Sequence, residues 1–167
     1  AAGNVYVTGR IQDSCDFNGT LLVKGMFVAK YDSTGNLQWA KESQGPLYEF
    51  GEQIRTDANG NSYIIGSFRD SATFESNTIY SYGGLDIFVA KYDASGNNLW
   101  VKPSGSKNWD NGNGIALDAS GNTYITGSFK DTAYFGASIL TSGSTSNSDI
   151  FIAKYDNNGT LQWARKA

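Results

Sequence analysis

Histidine is absent from the 167 residues of this chain, and the sequence has a single cysteine, Cys15. Catalysis by Ser-His-Asp or Cys-His arrangements, in which an imidazole is the general base, is therefore excluded within these residues. A lone cysteine forms no internal disulfide, so the cysteine content leaves the redox compartment open. No apolar run approaches the roughly 20 residues that a membrane-spanning helix needs, and no signal-peptide pattern opens the chain. We expect a soluble protein that, if exported, has already been processed.

The sequence also lacks a concentration of charge of one sign. The formal net charge is -3, the pI is near 4.8, and the 13 basic residues are scattered along the chain. This distribution gives no electrostatic footprint for nucleic acid or an anionic membrane. There are only two prolines, against 20 glycines, and 40% of the residues are hydrophobic. Such a composition predicts a folded chain with many tight turns.

A six-residue segment, Phe-(Val/Ile)-Ala-Lys-Tyr-Asp, occurs three times, and each copy is followed by a tryptophan seven residues after its aspartate. The copies are Phe27–Asp32, Phe88–Asp93 and Phe151–Asp156, and the tryptophans are Trp39, Trp100 and Trp163. The tryptophans are 61 and 63 residues apart. This spacing exceeds that of helical and leucine-rich repeats and suits a four-stranded sheet with its loops. The sequence therefore predicts three units, over residues 1–45, 46–105 and 106–167.

The middle unit is complete, and its apolar alternation and turn signals divide it into four antiparallel strands. These strands are predicted at Gly51–Thr56, Ser62–Phe68, Asp86–Tyr92 and Asn98–Lys102. A longer, variable connection is expected between the second strand and the third. The first unit begins inside the turn before its second strand, so we expect it to lack the inner strand.

The predicted turns share an Asp-x-x-Gly pattern that occurs five times, at Asp32, Asp57, Asp93, Asp118 and Asp156. An aspartate accepts hydrogen bonds from nearby backbone amides, and a glycine adopts the positive φ that such a turn requires. A calcium loop is the alternative, but it needs several alternating oxygen ligands, and here only the first position is a carboxylate. We therefore interpret the pattern as a structural turn and expect no metal.

Both faces of the middle sheet are predicted to carry apolar side chains. In the third strand, Phe88, Ala90 and Tyr92 alternate with Val89. A sheet with two apolar faces must be covered on both sides, which a β-propeller achieves by packing each blade against the next. The repeated tryptophans fall on the outer strand and are interpreted as packing residues between blades. Cys15 aligns with alanines in the other units, which predicts a small buried residue.

The repeated segments resemble the seven-bladed β-propeller repeat family of bacteria, the SBBP repeat. Three segments with counterparts in all units carry the resemblance: Gly121–Phe129, Asp149–Asp156 and Gly159–Ala164. The resemblance covers essentially the whole chain. Membership in this family implies a propeller in an extracellular or cell-surface bacterial protein, and it implies no particular reaction. Because three blades with one strand missing are too few to close a ring, we expect either further blades of a longer chain or a second copy as partner.

The loops of one predicted rim vary in length and composition, and they supply the candidate binding residues. These are aromatic, acidic and amide side chains: Tyr48, Glu49, Glu52, Tyr80, Tyr82, Asn108, Trp109 and Asp110. Rings beside carboxylates and amides can stack on a sugar and hydrogen-bond its hydroxyls, which indicates glycan binding. Protein recognition by loops on a rigid scaffold is the broader hypothesis. Tyr48 and Trp109 are equivalent by repeat alignment, and packing between blades is the alternative interpretation of this pair.

A carbohydrate-active enzyme, or an accessory domain of one, is the competing hypothesis. Glu49 and Glu52 could form a carboxylate pair for glycoside hydrolysis, but the equivalent positions hold Asp110 and Asn113, so the pair does not recur. We therefore predict a noncatalytic scaffold or binding module, without a cofactor, that recognises a protein or a glycan through one loop rim.

Overall fold

The computed structural model describes residues 3–143 and 147–167, and within these residues the chain consists of β-strands and turns with no helix. The strands are β1 (Val5–Phe17), β2 (Thr20–Tyr31), β3 (Leu37–Glu42), β4 (Glu49–Thr56), β5 (Ser62–Phe74), β6 (Asn77–Tyr92), β7 (Asn98–Gly105), β8 (Asn111–Leu117), β9 (Thr123–Phe129), β10 (Thr132–Phe135), β11 (Ser138–Thr141), β12 (Asp149–Tyr155) and β13 (Leu161–Lys166). The prediction of an all-β chain is confirmed.

The strands form three antiparallel sheets, one for each repeat of the sequence. The first sheet has the order β1-β2-β3, and the third has the order β13-β12-β9-β8. The second contains the predicted four strands in the order β7-β6-β5-β4 and is extended beyond β7 by β10 and β11. The first sheet therefore has three strands where the third has four, as the sequence indicated. The unit boundaries at residues 45 and 105 remain a prediction.

The predicted longer connections between the second and third strands of each unit contain β-hairpins, which the sequence analysis did not foresee. Two-residue turns join β1 to β2, β5 to β6 and β10 to β11. The first of these turns is Asn18-Gly19, with φ of 50° and 87°, which is a strong hairpin signal. Glu75 and Gly136 adopt φ of 55° in the other two. We call the paired segments that flank these turns, residues 14–23, 71–80 and 132–141, the hairpin arms.

The hairpin arms of the second and third units reach back to the outer strand of the preceding unit. Tyr134 and Phe135 of β10 pair with Gly105 and Ser104 of β7. An isolated antiparallel bridge joins Gln44 to Thr73 at the corresponding place between the first and second units. The sheets are thus connected by backbone hydrogen bonds as well as by packing.

The core lies between the sheets, and the middle sheet is covered on both faces. On one face, residues including Ile64, Phe68 and Phe88 pack with Met26 and Val28 of the first sheet. On the other face, Tyr63, Ile65, Ile87 and Val89 pack with residues of the third sheet, among them Ile125, Phe129 and Phe151. Alternate side chains of β5 and of β6 therefore belong to two different cores, one on each face of the middle sheet, which is the packing that the sequence predicted.

In the first and second sheets, one tryptophan packs against an Asp-x-x-Gly turn of the following sheet. Trp39 Nε1 donates a hydrogen bond to the Ala94 carbonyl oxygen at 3.1 Å, and Trp100 Nε1 donates to the Asn157 carbonyl oxygen at 3.1 Å. A Cβ atom added at Gly96 would lie 2.7 Å from the indole of Trp39. Trp39 and Trp100 are therefore packing residues between sheets, as predicted.

The Asp-x-x-Gly segments form the predicted turns. Asp57 Oδ1 accepts hydrogen bonds from the Asn59 amide at 2.9 Å and the Asn61 amide at 3.0 Å. The same two bonds occur at the other four aspartates. The glycines of all five turns have φ between 76° and 87°, a conformation that favours glycine. The carboxylates are thus occupied by amides of their own turns.

Cys15 is exposed, and the prediction that it is a buried small residue is wrong. The equivalent alanines, Ala72 and Ala133, are completely buried. Each of them lies on a sheet face that is covered by the preceding sheet. Within the described residues no sheet precedes the first one, so the same position is open to solvent.

The contact between a tryptophan and the following turn predicts that alanine substitutions of two equivalent tryptophans lower the stability of the chain by different amounts. Trp100 is 8% exposed in the core between sheets, so Trp100→Ala should lower the free energy of unfolding by about 3–5 kcal/mol. Trp163 occupies the same position on the third sheet, where no described sheet covers it. Trp163→Ala should cost less than half as much in urea denaturation of the dilute protein. Equal losses for the two variants would show that the contact with the following turn adds nothing.

Candidate functional site

Two predicted binding residues, Tyr48 and Trp109, meet at an apolar pocket between the second and third sheets. The pocket has a volume of about 330 Å³ and is lined by Tyr48, Phe50, Arg69, Leu85, Trp109 and Asn111. Tyr48 is 45% exposed and Trp109 is 63% exposed. Both rings therefore present apolar surface to solvent at the mouth of one cavity. Large exposed aromatic rings of this kind are typical of recognition surfaces.

Two arginines give the pocket a positive edge. The guanidinium of Arg10 lies over the Tyr48 ring, 4.6 Å from its centre. Arg69 is a lining residue, and its backbone amide donates a hydrogen bond to the Tyr48 carbonyl oxygen at 2.8 Å. A guanidinium stacked on a ring keeps its N–H donors available for a carboxylate. The pocket thus combines an apolar interior with donors at its rim.

The loop that carries Trp109 is held against β6 by a close backbone contact. The Asp110 amide donates to the Leu85 carbonyl oxygen at 2.7 Å. A Cβ atom at Gly83 would lie 2.6 Å from Lys107 Cα, and one at Gly84 would lie 2.3 Å from the Asn108 carbonyl oxygen. Only glycine allows the strand and the loop to approach this closely. The Gly83-Gly84 pair therefore fixes the position of Trp109.

Two buried carboxyl groups support this loop from beneath. Asp86 and Asp110 are both fully buried. Asp86 accepts hydrogen bonds from the amides of Tyr82 and Ser106, and Asp110 accepts from those of Ser106 and Lys130. Burial raises the pKa of Asp86 to about 7, and the negative charge of Asp110 adds to this effect. Burial also raises the pKa of Asp110. Asp110 joins the loop between β7 and β8 to the end of β9 in the third sheet, so its role is structural.

Glu49 occupies the position equivalent to Asp110 beneath Tyr48, and it is also buried, at 1% exposure. Its two carboxyl oxygens make no hydrogen bond within the described residues. Burial raises the pKa of Glu49, against the effect of the nearby positive charges of Lys24 and Arg10. Gly25 stands where the second unit has Asp86, so no second carboxyl is present here.

The other predicted site residues lie elsewhere. Glu52 is exposed on β4, and Asn108 is half-buried in the loop before Trp109. Tyr80 is 69% exposed on the hairpin arm of β6. Tyr82 stacks on Tyr134 with ring centres 5.4 Å apart and lines a different cavity of about 420 Å³ with Pro103 and Tyr155. The structure therefore brings together Tyr48 and Trp109 and separates Tyr80, Tyr82 and the acids from their pocket.

Sequence reasoning missed the arginines and the apolar floor of the pocket. Arg10 follows Gly9 where the other units have Ser67 and Ser128, and this departure from the repeat was a usable signal. Phe50 and Leu85 resemble ordinary core residues in the sequence. Only their position at a junction between two sheets makes them part of a pocket.

Comparisons with known proteins give distant similarities. No family model matches the chain. The chain is 30% identical over 154 residues to the "Uncharacterized WD repeat-containing protein L264" of Acanthamoeba polyphaga mimivirus, in a match that covers 75% of this chain and 11% of that protein. It is 27% identical over 140 residues to the "Regulatory protein FlaEY" of Caulobacter vibrioides, covering 78% of this chain and 15% of that protein. The chain thus spans between a tenth and a sixth of the length of these relatives. The described residues include no helix that could span a membrane.

The buried carboxyl groups predict a decrease in stability as the pH rises. The pKa of Asp86 is about 7 in the folded chain and 3.8 in the unfolded chain. Protonation of Asp86 therefore stabilises the fold fully below pH 4, and this contribution is lost as the pH rises through 7. The free energy of unfolding should therefore fall between pH 5 and pH 8, as measured by urea denaturation. Asp86→Asn, which keeps a neutral side chain, should remove much of this decrease.

Asp13→Asn is the matched control for this measurement, because Asp13 is an exposed carboxylate. The control should keep the pH dependence of the unchanged protein. A full decrease in the Asp86→Asn variant would contradict the assignment of the titrating group. Burial opposes the ionised forms of the turn aspartates Asp57 and Asp93, but hydrogen bonds outweigh it and lower their pKa values. Hydrogen bonds likewise lower the pKa of Asp118, so these three do not interfere in this window.

Proposed function

We propose that this chain is a noncatalytic scaffold of the β-propeller type that recognises a protein segment at the Tyr48–Trp109 pocket. The observation that carries the proposal is the exposed aromatic pair over an apolar cavity at a junction of two rigidly packed sheets. The name of the WD repeat-containing relative is consistent with a repeat scaffold. Loops and junctions on a rigid scaffold commonly carry recognition.

The propeller architecture is part of this proposal. It is supported by the successive antiparallel sheets, the packing of the middle sheet on both faces and the hairpin arms that cross between units. In a propeller, further repeats or a second copy would complete the ring. Membership in the SBBP repeat family and a location outside the cell or on its surface also remain proposals, which rest on the sequence resemblance.

The chemistry of the pocket favours a peptide with an apolar anchor and an acidic neighbour. Carbon atoms of Tyr48, Phe50, Leu85 and Trp109 form most of its lining, and the volume of about 330 Å³ lies in the range of small-ligand pockets. Such a cavity suits one large aliphatic or aromatic side chain. Arg10 and Arg69 at its edge would pair with a carboxylate beside that anchor. We therefore expect recognition of an exposed hydrophobic residue next to aspartate or glutamate.

Glycan binding is the second candidate, and the exposure of Trp109 favours it, since a free ring face can stack on a sugar. The carboxylates that were expected to bind sugar hydroxyls, those of Glu49 and Asp110, are buried. A sugar at this pocket would therefore find few acceptors. For the same reason a Glu49–Glu52 catalytic pair has little support, because one carboxyl is buried and the other is exposed. We propose protein recognition as the principal function.

Selection from a random peptide display library on the immobilised chain, followed by fluorescence anisotropy with a synthetic selected peptide, tests this function. Trp109→Ala should weaken binding at least about tenfold, which is the loss of roughly 1.4 kcal/mol expected of an anchoring aromatic. Arg10→Ala should weaken binding of acidic peptides and reduce the effect of salt on it.

Tyr80→Ala is the matched control, because Tyr80 is an even more exposed aromatic residue outside the pocket. Its peptide affinity should equal that of the unchanged chain. Peptide binding that survives Trp109→Ala would refute the assigned pocket. Binding to a glycan array that is lost in Trp109→Ala, with no peptide selected, would favour the glycan alternative instead.

A further inference from the structure

The first and third sheets each have one face that no described residue of the chain covers. We call the open face of the third sheet, which carries Tyr124, Ile150, Ile152 and Trp163, the downstream face. Ile150 is 58% exposed and Ile152 is 42% exposed, whereas their equivalents Ile87 and Val89 on the covered second sheet are 0% and 1% exposed. Apolar side chains at these positions are therefore buried wherever a following sheet is present.

The open face of the first sheet is the other half of the same kind of interface. We call it the upstream face, and it carries Cys15, Phe17, Phe27 and Tyr31. These side chains are exposed or half-buried. Their equivalents on the second sheet are completely buried against the first sheet: Ala72, Phe74, Phe88 and Tyr92. The chain thus presents both halves of an interface that it also contains in assembled form.

In the assembled interface between the second and third sheets, three side chains hold the turn of the next sheet. Tyr63 OH donates to Asn157 Oδ1 at 2.9 Å, Lys91 Nζ donates to the Asn157 carbonyl oxygen at 3.3 Å, and Trp100 Nε1 donates to the same oxygen at 3.1 Å. We call this Tyr-Lys-Trp group the clamp. A Cβ atom at Gly159 would lie 2.7 Å from the Trp100 ring, so the indole lies directly on the turn glycine.

The interface between the first and second sheets repeats this arrangement. Lys30 Nζ and Trp39 Nε1 both donate to the Ala94 carbonyl oxygen at 3.1 Å. Tyr6 OH donates to the Gly60 carbonyl oxygen of the neighbouring turn at 3.0 Å. The clamp is therefore a recurring contact and not a feature of one junction.

The third clamp is assembled, and among the described residues it contacts only the Asp118 turn of its own sheet and no turn of a following sheet. Lys154 Nζ lies 5.0 Å from the centre of the Tyr124 ring, and the Tyr124 and Trp163 rings are 6.3 Å apart. The corresponding distances in the closed clamp at Tyr63 and Trp100 are 4.9 Å and 6.3 Å. The open clamp thus already has the geometry of the closed one, so closing it requires little reorganisation.

The turn that matches this clamp is also open. It is the Asp32–Gly35 turn of the first sheet, in which Ser33 corresponds to Ala94 and Asn157. A Cβ atom at Gly35 would meet no atom within 4 Å, whereas Gly96 and Gly159 lie against tryptophan rings. Gly35 has φ of 85°, close to the 87° and 76° of those two glycines. The receiving turn therefore has the same conformation, and no tryptophan of the described residues lies against its glycine.

We propose that the downstream face binds the upstream face of a second copy of this chain, with the Tyr124, Lys154 and Trp163 clamp closing on the Asp32–Gly35 turn. The proposal rests on the stacking of repeats in the proposed function and deepens it by naming the contacts. Lys154 Nζ and Trp163 Nε1 donate to the Ser33 carbonyl oxygen of the second copy. The apolar residues of the two faces then form a core like those within the chain.

A second copy is favoured over an unrelated partner because the clamp requires a specific acceptor. The indole needs a turn glycine without a Cβ, and the two N–H donors need the carbonyl two residues before that glycine. The Asp32–Gly35 turn provides both, and the upstream face beside it provides the matching apolar surface. The contact uses different surfaces on the two copies, so it is heterologous and leads to a closed ring or an open chain of copies.

Sedimentation of the 167-residue chain over a series of concentrations under reducing conditions tests the proposal. The mass should rise above that of a monomer, and either a plateau at a fixed number of copies or continued growth supports the contact. Ile152→Asp should give a monomer at every concentration, because it places a charge in the new core. A chain that stays monomeric without any substitution would overturn the proposal.

Ile139→Asp is the matched control, since Ile139 is 61% exposed and its equivalent, Thr78, stays exposed on the covered second sheet. This variant should associate as the unchanged chain does. Loss of association in both isoleucine variants would show a general effect of charge and would count against the proposed face. Circular dichroism and urea denaturation should show that both variants remain folded.

Mixing two variants tests the head-to-tail direction. Ile152→Asp destroys the downstream face only, and Cys15→Asp destroys the upstream face only. Each should be monomeric alone, and an equimolar mixture should form a one-to-one dimer through the two intact faces, with no larger species. Association of either variant with itself, or no dimer in the mixture, would refute this contact. Trp163→Ala should weaken the wild-type association at least tenfold.

Peptide binding separates this proposal from the proposed function. Neither Ile152 nor Cys15 lines the Tyr48–Trp109 pocket, so both variants should bind the selected peptide with unchanged affinity. A monomeric chain that still binds the peptide would refute the association alone. An associating chain that selects no peptide would refute the recognition pocket alone.

Discussion

The contact between a tryptophan and the turn glycine of the next sheet is the constraint on which the rest of this structure depends. Trp39 and Trp100 bring successive sheets to a fixed distance, and a Cβ atom at Gly96 or Gly159 would prevent it. The repeated Lys-Tyr-Asp-x-x-Gly segment and its tryptophan therefore encode both halves of one interface. The lysine and tryptophan contact the sheet that follows, and the turn receives the sheet that precedes. This double use explains why these residues recur together while most surface positions vary.

The strands and turns of each unit followed from local signals, whereas burial did not. The Asp-x-x-Gly turns fix their own conformation through bonds such as those from the Asn59 and Asn61 amides to Asp57, so sequence identified them. The hairpin arms were missed because Asp70, with φ of 70°, interrupts the alternation between Arg69 and Ser71. Cys15 was misjudged because its burial depends on a neighbouring sheet and not on its own residue type.

The pairing of Tyr48 with Trp109 was recognisable from their equivalent positions, but the character of their pocket was not. Acidic residues beside aromatic rings suggested a sugar site, yet Asp110 is turned inward to accept the Ser106 and Lys130 amides. Ser106 lies in the same loop, but Lys130 follows β9 and is 20 residues away along the chain, so no local pattern reveals both donors. Arg10 likewise reaches Tyr48 from another unit. The composition of the site is therefore a tertiary property, although its location was foreseeable.

The buried acidic residues beneath Tyr48 and beneath Trp109 differ, which shows that the repeat tolerates substitutions at the junctions between sheets. At the junction of the second and third units, Asp86 and Asp110 together fill the space beneath Trp109. At the junction of the first and second units, Gly25 replaces one of the two acids, and the longer Glu49 extends to Gly45, where a Cβ atom would lie 1.9 Å from Glu49 Oε1. The same space is thus filled by one long acid or by two short ones. Because the sheets are held by the tryptophan contacts, the junction beside them is free to vary, and this is where the aromatic pocket lies.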